Sequence, residues 1–434
     1  MNDRAAKEIA VPALAQEAAL PVLPAFGGIG LEMEFMIVDA DTLDVRPLAD
    51  RVLVQDGCVV NELARGALGW SNELVLHVLE VKNREPRLRL DALAPAFCDE
   101  IGAIEGVLAA QGARLMPGAM HPWMNPEQEM RLWPHDNQAI YRAYDRIFDC
   151  RGHGWANLQS MHINLPFADD REFARLHEAV RLLLPILPAL AASSPLADGA
   201  YSGWMDYRMH VYDGNAQGFP SITGQLIPEP VTSRAAYEEC ILHPMYRAIA
   251  AHDPQGLLQY EWLNSRAAIA RFDRNAIEIR VIDTQECVAA NMAVAAATLG
   301  AVRFLYHEEA VHAQPPLPTE SLAAILQACM RDAERAQIDD AAYLHLLGIR
   351  EPRATAGEVW CQLLEHLSTQ DSDVQRCSAA LRLILEQGPL ARRILRAMNL
   401  ESGTSGSAPR ALLQTVYRRL CDCLRDDCLF DPSC

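Results

Sequence analysis

Four runs of this chain carry the apolar and polar pattern expected of strands: Gly30–Asp39, Glu73–Val81, Ser160–Leu165 and Ala276–Asp283. The last is rich in β-branched residues and alternates as a half-buried strand does. Its distance from the others in sequence predicts long-range pairing. Between them, Asp91–Gly112 and Asp170–Ala192 have apolar residues at helical spacing, whereas Tyr201–Pro230 is rich in Gly, Pro and Asn and is predicted to be loop. From Ala290 onward the period is helical, through Phe304 and then over Ala323–Met330, Val359–Leu367, Ala379–Met398 and Leu412–Leu424. Glu401–Pro409, full of Ser and Gly, is predicted to be a flexible linker. The pattern describes an α+β protein: an N-terminal extension over 1–25, a sheet region over 26–290, and a helical region over 291–434 packed on the same domain.

The strands carry charges where apolar residues are expected. In Gly30–Asp39, Glu32 and Glu34 fall on one face and Leu31, Met33 and Phe35 on the other. Two carboxylates about 7 Å apart on an otherwise apolar strand are costly unless cations compensate them, and magnesium prefers carboxylate oxygen. A solvated strand face is the other reading of the same pair. Glu73 and Glu80 bracket the next run at a spacing of seven, so they reach one site only through a bulge or bend. His162 shares a face with Asn164, and Glu278 shares one with Arg280, with Asp283 expected on the opposite face. Glu278 and Arg280 form either a structural ion pair or a metal ligand beside a phosphate-binding guanidinium.

Charge narrows the function. With 38 basic against 57 acidic side chains the formal net charge is -19, which repels nucleic acid. The same field repels anionic substrates, so a site for them needs metal ions and local arginines. Lysine occurs only as Lys7 and Lys82, and no glycine loop precedes Lys82, so no P-loop is present. Acidic residues and prolines interrupt the N-terminal segment, which does not resemble a secretion signal, and the expected location is the cytoplasm. Leu182–Leu196 is broken by Pro185, Pro188 and Pro195 and is shorter than the roughly 20 residues a membrane helix needs, so no membrane helix is predicted. The twelve cysteines suit reduced thiols. Cys421, Cys423, Cys428 and Cys434 lack the paired spacing of a zinc ribbon and are taken as a helix end and tail. His307 and His312 are one residue too far apart for a zincin motif and are taken as surface.

Gly30-Leu-Glu-Met-Glu-Phe35, with Val38-Asp39 and Arg46-Pro47 after it, resembles the opening strand of the family-2 glutamate–cysteine ligases. The resemblance continues in family order through Glu73-Leu74, Glu80, Gly118-Ala-Met-His-Pro122, Met161-His162, Ala192-Ser-Ser-Pro195 and Ile277–Asp283. It implies a fold akin to glutamine synthetase and the guanidino kinases, a curved antiparallel sheet that holds magnesium ions and ATP. Carried over residue by residue, it implies Glu32, Glu34, Glu73, Glu80, His162 and Glu278 as metal ligands. Glu34 and Arg280 are then the catalytic residues, and Arg280, Arg271 and Arg208 hold the anions. The implied reaction is ATP-dependent amide formation through an acyl phosphate.

The segment Glu261–Asn275 lacks the Trp-Asp-Ile-Arg pattern of better-known members, and His162-Ile-Asn164 replaces a more histidine-rich version. Both departures fall near the implied substrate pocket, so the acid and the amine stay open. The expected partners are small-molecule or peptide carboxylates and amines, without nucleic acid or membrane, and a homo-oligomer is left open. Two alternatives stand beside the ligase: a guanidino-kinase-type phosphotransferase, and an inert binding protein that keeps the fold.

Overall fold

Alternation in Gly30–Asp39 produces the central strand, β1, of an eight-stranded sheet. The computed structural model describes residues 22–400 and 407–432. The expected extension over 1–25 and the linker over 401–409 therefore lie largely outside the described residues. In chain order the remaining strands are β2 (Glu62–Arg65), β3 (Leu68–Asn72), β4 (Val78–Asn83), β5 (Ala113–Met116), β6 (Ser160–Pro166), β7 (Ala268–Arg271) and β8 (Ala276–Asp283). Their spatial order is β7-β8-β6-β1-β4-β3-β2, with β5 also pairing to β1, and every pairing is antiparallel.

Two expectations about strands need correcting. The run Glu73–Val81 is a strand only from Val78, because Glu73–His77 forms a turn between β3 and β4. That turn is pinned from outside: Leu76 donates its amide to the Arg131 carbonyl at 2.8 Å, and a His77 ring nitrogen lies 2.7 Å from the Ala156 carbonyl oxygen. It supplies the bend that the spacing of Glu73 and Glu80 demanded. The second correction concerns Asp283. The register of β8 on β6 shifts between Ile279 and Ile282, so Glu278 lies opposite Asn164 while Asp283 lies opposite Ser160. The irregularity reverses the alternation and brings Asp283 onto the face of Glu278.

Helices cover the other face. Leu31, Met33, Phe35 and Ile37 project into the larger core, where α1 (Ala94–Ala109), α3 (Asp170–Leu183) and α5 (Val288–His307) bury their apolar sides. Each such side chain contributes about 1.5–3 kcal/mol relative to exposure. The helix α5 is long and apolar enough to cross a membrane, with a mean hydropathy of 1.6, yet 83% of its apolar window is buried inside the protein. It is a core helix that the sequence reading passed over in favour of Leu182–Leu196.

The predicted loop over 201–230 contains α4 (Tyr207–Asp213), capped by the Asp206 side chain, and a short helical turn at Pro220–Thr223. The longer C-terminal helices are α6 (Thr319–Asp332), α7 (Ala356–Ser368), α8 (Ser378–Gln387), α9 (Leu390–Ala397) and α10 (Arg410–Asp426). Gly388, at φ 85°, and Pro389 break the single helix expected over Ala379–Met398. On the acidic face of β1, beyond Glu34, Met36 and Val38 pack with α9 and α10 in a second core. Here Arg393 meets Glu286 at 2.5 Å, both fully buried, and donates to the Phe430 carbonyl at 2.8 Å.

Candidate active site

The β register assembles one polar row across the sheet. Glu34 lies opposite Glu80, Glu32 lies opposite both Lys82 and His162, and Asn164 lies opposite Glu278. Antiparallel partners share a face, so residues scattered over the sequence converge because the strands pair as they do. The turn after β3 adds Glu73.

Two overlapping trios form. Glu34, Glu73 and Glu80 each offer an oxygen, all within 4.8 Å of one another, and Glu32, Glu80 and His162 form a second set on the same criterion. Burial pushes the Glu73 carboxyl well above the usual carboxylate range, and the charges of Glu80 and Glu34 add to that effect. Glu80 is likewise raised by burial, although Lys82 sits 3.0 Å away and opposes it. Like charges buried this closely are relieved by a proton or by a cation. An all-oxygen trio of acids suits a hard divalent ion such as magnesium, so the Glu34–Glu73–Glu80 set fits the metal that the family resemblance implies.

His162 occupies the centre of the row. Its Nδ1 is 3.1 Å from Glu32 Oε2 and its Nε2 is 2.9 Å from Ser160 Oγ. Burial works against its charge, but the hydrogen bond to Glu32 and the charges of Glu34, Glu32 and Glu278 raise its pKa to about 9. In Glu32, burial is outweighed by the same hydrogen bond and charge, which hold the carboxyl below its usual range. Protonated His162 thus compensates Glu32 and can ligate a metal only by giving up its proton and one of these bonds. Ser160 fixes Glu34, donating its amide at 2.6 Å and its hydroxyl at 3.1 Å to one carboxylate oxygen.

The far end of the row is cationic. Arg280 Nε lies 2.8 Å from Glu278 Oε1, and Arg271 Nη1 lies 3.1 Å from Glu278 Oε2. Burial, the largest influence, raises the Glu278 carboxyl, yet the charges of Arg280, His162 and Arg271 together outweigh it and the net shift is downward. The structural reading of the Glu278–Arg280 pair is the one seen, an ion pair, and Arg280 also lines the cavity. Arg271 is engaged by Glu278 and Asp273 and does not line that cavity. Arg208 does line it, with its Nε donating to Asp283 Oδ1 at 2.5 Å. The cavity, about 250 Å³, includes Glu34, Glu73, Ser160, His162, Arg208 and Arg280.

Sequence reasoning missed Lys82 as a site residue. The alternation that places Glu80 on this face also places Lys82 there, and the charge pattern was the available signal. It missed Ser160 as well, whose role follows from its position opposite Asp283 and beside Glu34.

The family model for glutamate–cysteine ligase family 2 matches residues 28–414. This chain belongs to that family.

Among the relatives of this family member, a protein of Archaeoglobus fulgidus named only as uncharacterised is 32% identical over 371 residues, spanning 85% of this chain and 93% of the relative. A protein of Herpetosiphon aurantiacus with the provisional name glutamate–cysteine ligase 2 is 26% identical over 218 residues, 49% of this chain and 50% of that protein. The match thus spans about half of that relative. Among solved structures, the glutamate–cysteine ligase of Francisella tularensis in complex with AMP aligns with a TM-score of 0.58 at 12% identity, covering 92% of this chain and 88% of the other. A bifunctional glutathione synthetase from Pasteurella multocida aligns at 0.53 and 14% identity, covering 91% of this chain and 52% of the other. These structural likenesses concern the fold.

Proposed function

We propose that this family-2 member is an ATP-dependent carboxylate–amine ligase of the cytoplasm, built on a sheet of the glutamine synthetase and guanidino kinase kind. In this reading, residues 26–290 and 291–434 form one domain. The observation that carries the proposal is the convergence of Glu34, Glu73 and Glu80 within 4.8 Å beside a cavity that also holds Arg208 and Arg280. Carboxylates to hold a hard cation and guanidinium groups to hold anions are what a reaction between a polyphosphate and a carboxylate requires.

Glu34, Glu73 and Glu80 would hold magnesium, which would offset negative charge on the polyphosphate. The substrate carboxylate oxygen attacks the γ-phosphorus of ATP and ADP leaves. The amine nitrogen then attacks the acyl carbon, phosphate departs and an amide remains. No covalent enzyme nucleophile takes part. The chain contributes positioning and charge: Ser160 fixes Glu34, His162 fixes Glu32, and Arg280 presents a preorganised cation braced by Glu278 and the Asn264 carbonyl.

The test is incubation with Mg–ATP and pooled amino acids, following ADP, phosphate and product mass. A new mass equal to acid plus amine minus water supports the ligase. ADP release with a phosphorylated product and no amide shifts the reading to a phosphotransferase, and failure to bind Mg–ATP removes both.

A further inference from the structure

The acids and arginines share the lining of the cavity with a group of aromatic rings. Tyr144, Trp155, Tyr212 and Trp262 all line it, together with aliphatic Val78 and Leu158. The rings support one another: Tyr144 lies 5.4 Å from Trp155 and 5.7 Å from Trp262, and Trp262 stacks on Tyr260 at 5.5 Å with 8° between planes. None of these four side chains is fully buried, so their ring surface is available to an occupant.

Arg208 adds an independent sign. It is 2% exposed, its Nε is taken by Asp283, and its Nη2 is buried without a hydrogen-bond partner. A guanidinium nitrogen left unanswered at a cavity wall is a place for an anion. The rings and Arg208 line one cavity of about 250 Å³, so a small occupant that fits it carries both groups. Adenine does not meet this requirement, because a ribose separates its ring from the phosphates. A thiol or a short carboxylate side chain would leave the aromatic wall facing water.

We infer that the substrate held here is an aromatic carboxylate, such as an amino acid with an aromatic side chain, with its carboxylate on Arg208 and its ring among Tyr144, Trp155 and Trp262. This rests on the ligase reading for its role as a substrate, but its binding can be measured separately. Two of the ring residues are tryptophans, so occupancy is read from intrinsic fluorescence and confirmed by calorimetry on the full chain without ATP.

The probes are L-phenylalanine and 3-phenylpropanoate, with L-glutamate, L-cysteine and AMP as comparisons. At least one aromatic probe should bind with a Kd on the order of tenfold below those of L-glutamate and L-cysteine, the discrimination that a filled apolar pocket gives. Trp262→Leu should weaken that probe by a similar factor, while AMP affinity stays unchanged. Arg208→Met should weaken the aromatic probe likewise, and the wild-type panel decides the matter even where a variant fails to fold. Equal or tighter binding of L-glutamate or L-cysteine overturns the assignment, as does displacement of the aromatic probe by AMP. A chain that binds L-phenylalanine yet releases no ADP with any amine or acid overturns the ligase reading and keeps the aromatic pocket.

Discussion

The two ends of the carboxylate row lie on one face of one sheet and differ in how they are neutralised. At one end Glu278 is clasped by Arg280 at 2.8 Å and Arg271 at 3.1 Å. At the other, Glu34, Glu73 and Glu80 crowd within 4.8 Å, with Lys82 at 3.0 Å from Glu80 and the His162 ring 4.0 Å from Glu34. The first end is neutralised by the protein's own arginines; at the second, three acids have only Lys82 and His162 as ion-pair partners among the described residues. Substitutions at the two ends should therefore fail in different ways, which makes the contrast testable.

The largest expected effect is on turnover. Glu34→Gln should lower kcat by on the order of 10²–10³ or more, as loss of a group that organises transition-state charge does, while the thermal midpoint barely moves. Turnover near wild type in this variant would remove the cation-poor trio from the chemistry. Glu278→Gln should instead unfold more easily by about 3 kcal/mol, because it leaves two arginines without their buried partner. Denaturant titration reads this, and a stability equal to wild type would dissolve the contrast from the other side. Next in size, magnesium at about a hundredfold over its Kd should stabilise the wild type by about 2.7 kcal/mol. Glu73→Gln should abolish most of that gain, while Arg271→Gln should keep it; equal gains in both variants would break the assignment.

The smallest effect concerns pH and lies away from the row. His77, His121 and His177 are buried, and burial depresses their pKa values to about 4, about 3 and about 3. A histidine depressed on folding contributes stability that is present above its unfolded value near 6.5 and is lost as pH falls toward the folded value. The thermal midpoint should decline steadily from pH 6.5 toward pH 4. His177, whose two ring nitrogens have no hydrogen-bond partner, is the cleanest test. His177→Leu should flatten the acid limb, and an unchanged slope would exclude it as a contributor.

The sequence disclosed the parts of this site that obey strand alternation. Glu32, Glu34, His162 and Glu278 were legible because each sits inside a regular run with period two, and Arg280 because it follows Glu278 by two, although it lies within the irregularity of β8. The meeting of Glu73 with Glu80 was legible only as a requirement, because the turn that satisfies it is held by Arg131 and Ala156, far away in sequence. Asp283 was placed on the wrong face because one irregularity in β8 inverts parity, and no residue in Ala276–Asp283 announces it. The strands β2 and β3, at one end of the sheet, were missed because neither alternates clearly. The aromatic wall was invisible for another reason: Tyr144 comes from the helix α2 (Gln138–Phe148), Tyr212 from α4, and Trp155 and Trp262 from short turns between longer elements. No local pattern links them.

The latch between Arg393, Glu286 and Phe430 bears on how the protein comes into being. Strand β1 emerges early from a ribosome, yet β6 and β8 follow long after it, and the α9 and α10 side of the second core later still. Until then, the acidic strand must wait with an open edge and an uncovered apolar flank at Met36 and Val38. Such a chain has high contact order, folds slowly and is exposed to aggregation while nascent. Recovery of active protein should therefore depend on chaperones and on translation speed more steeply than its final stability suggests.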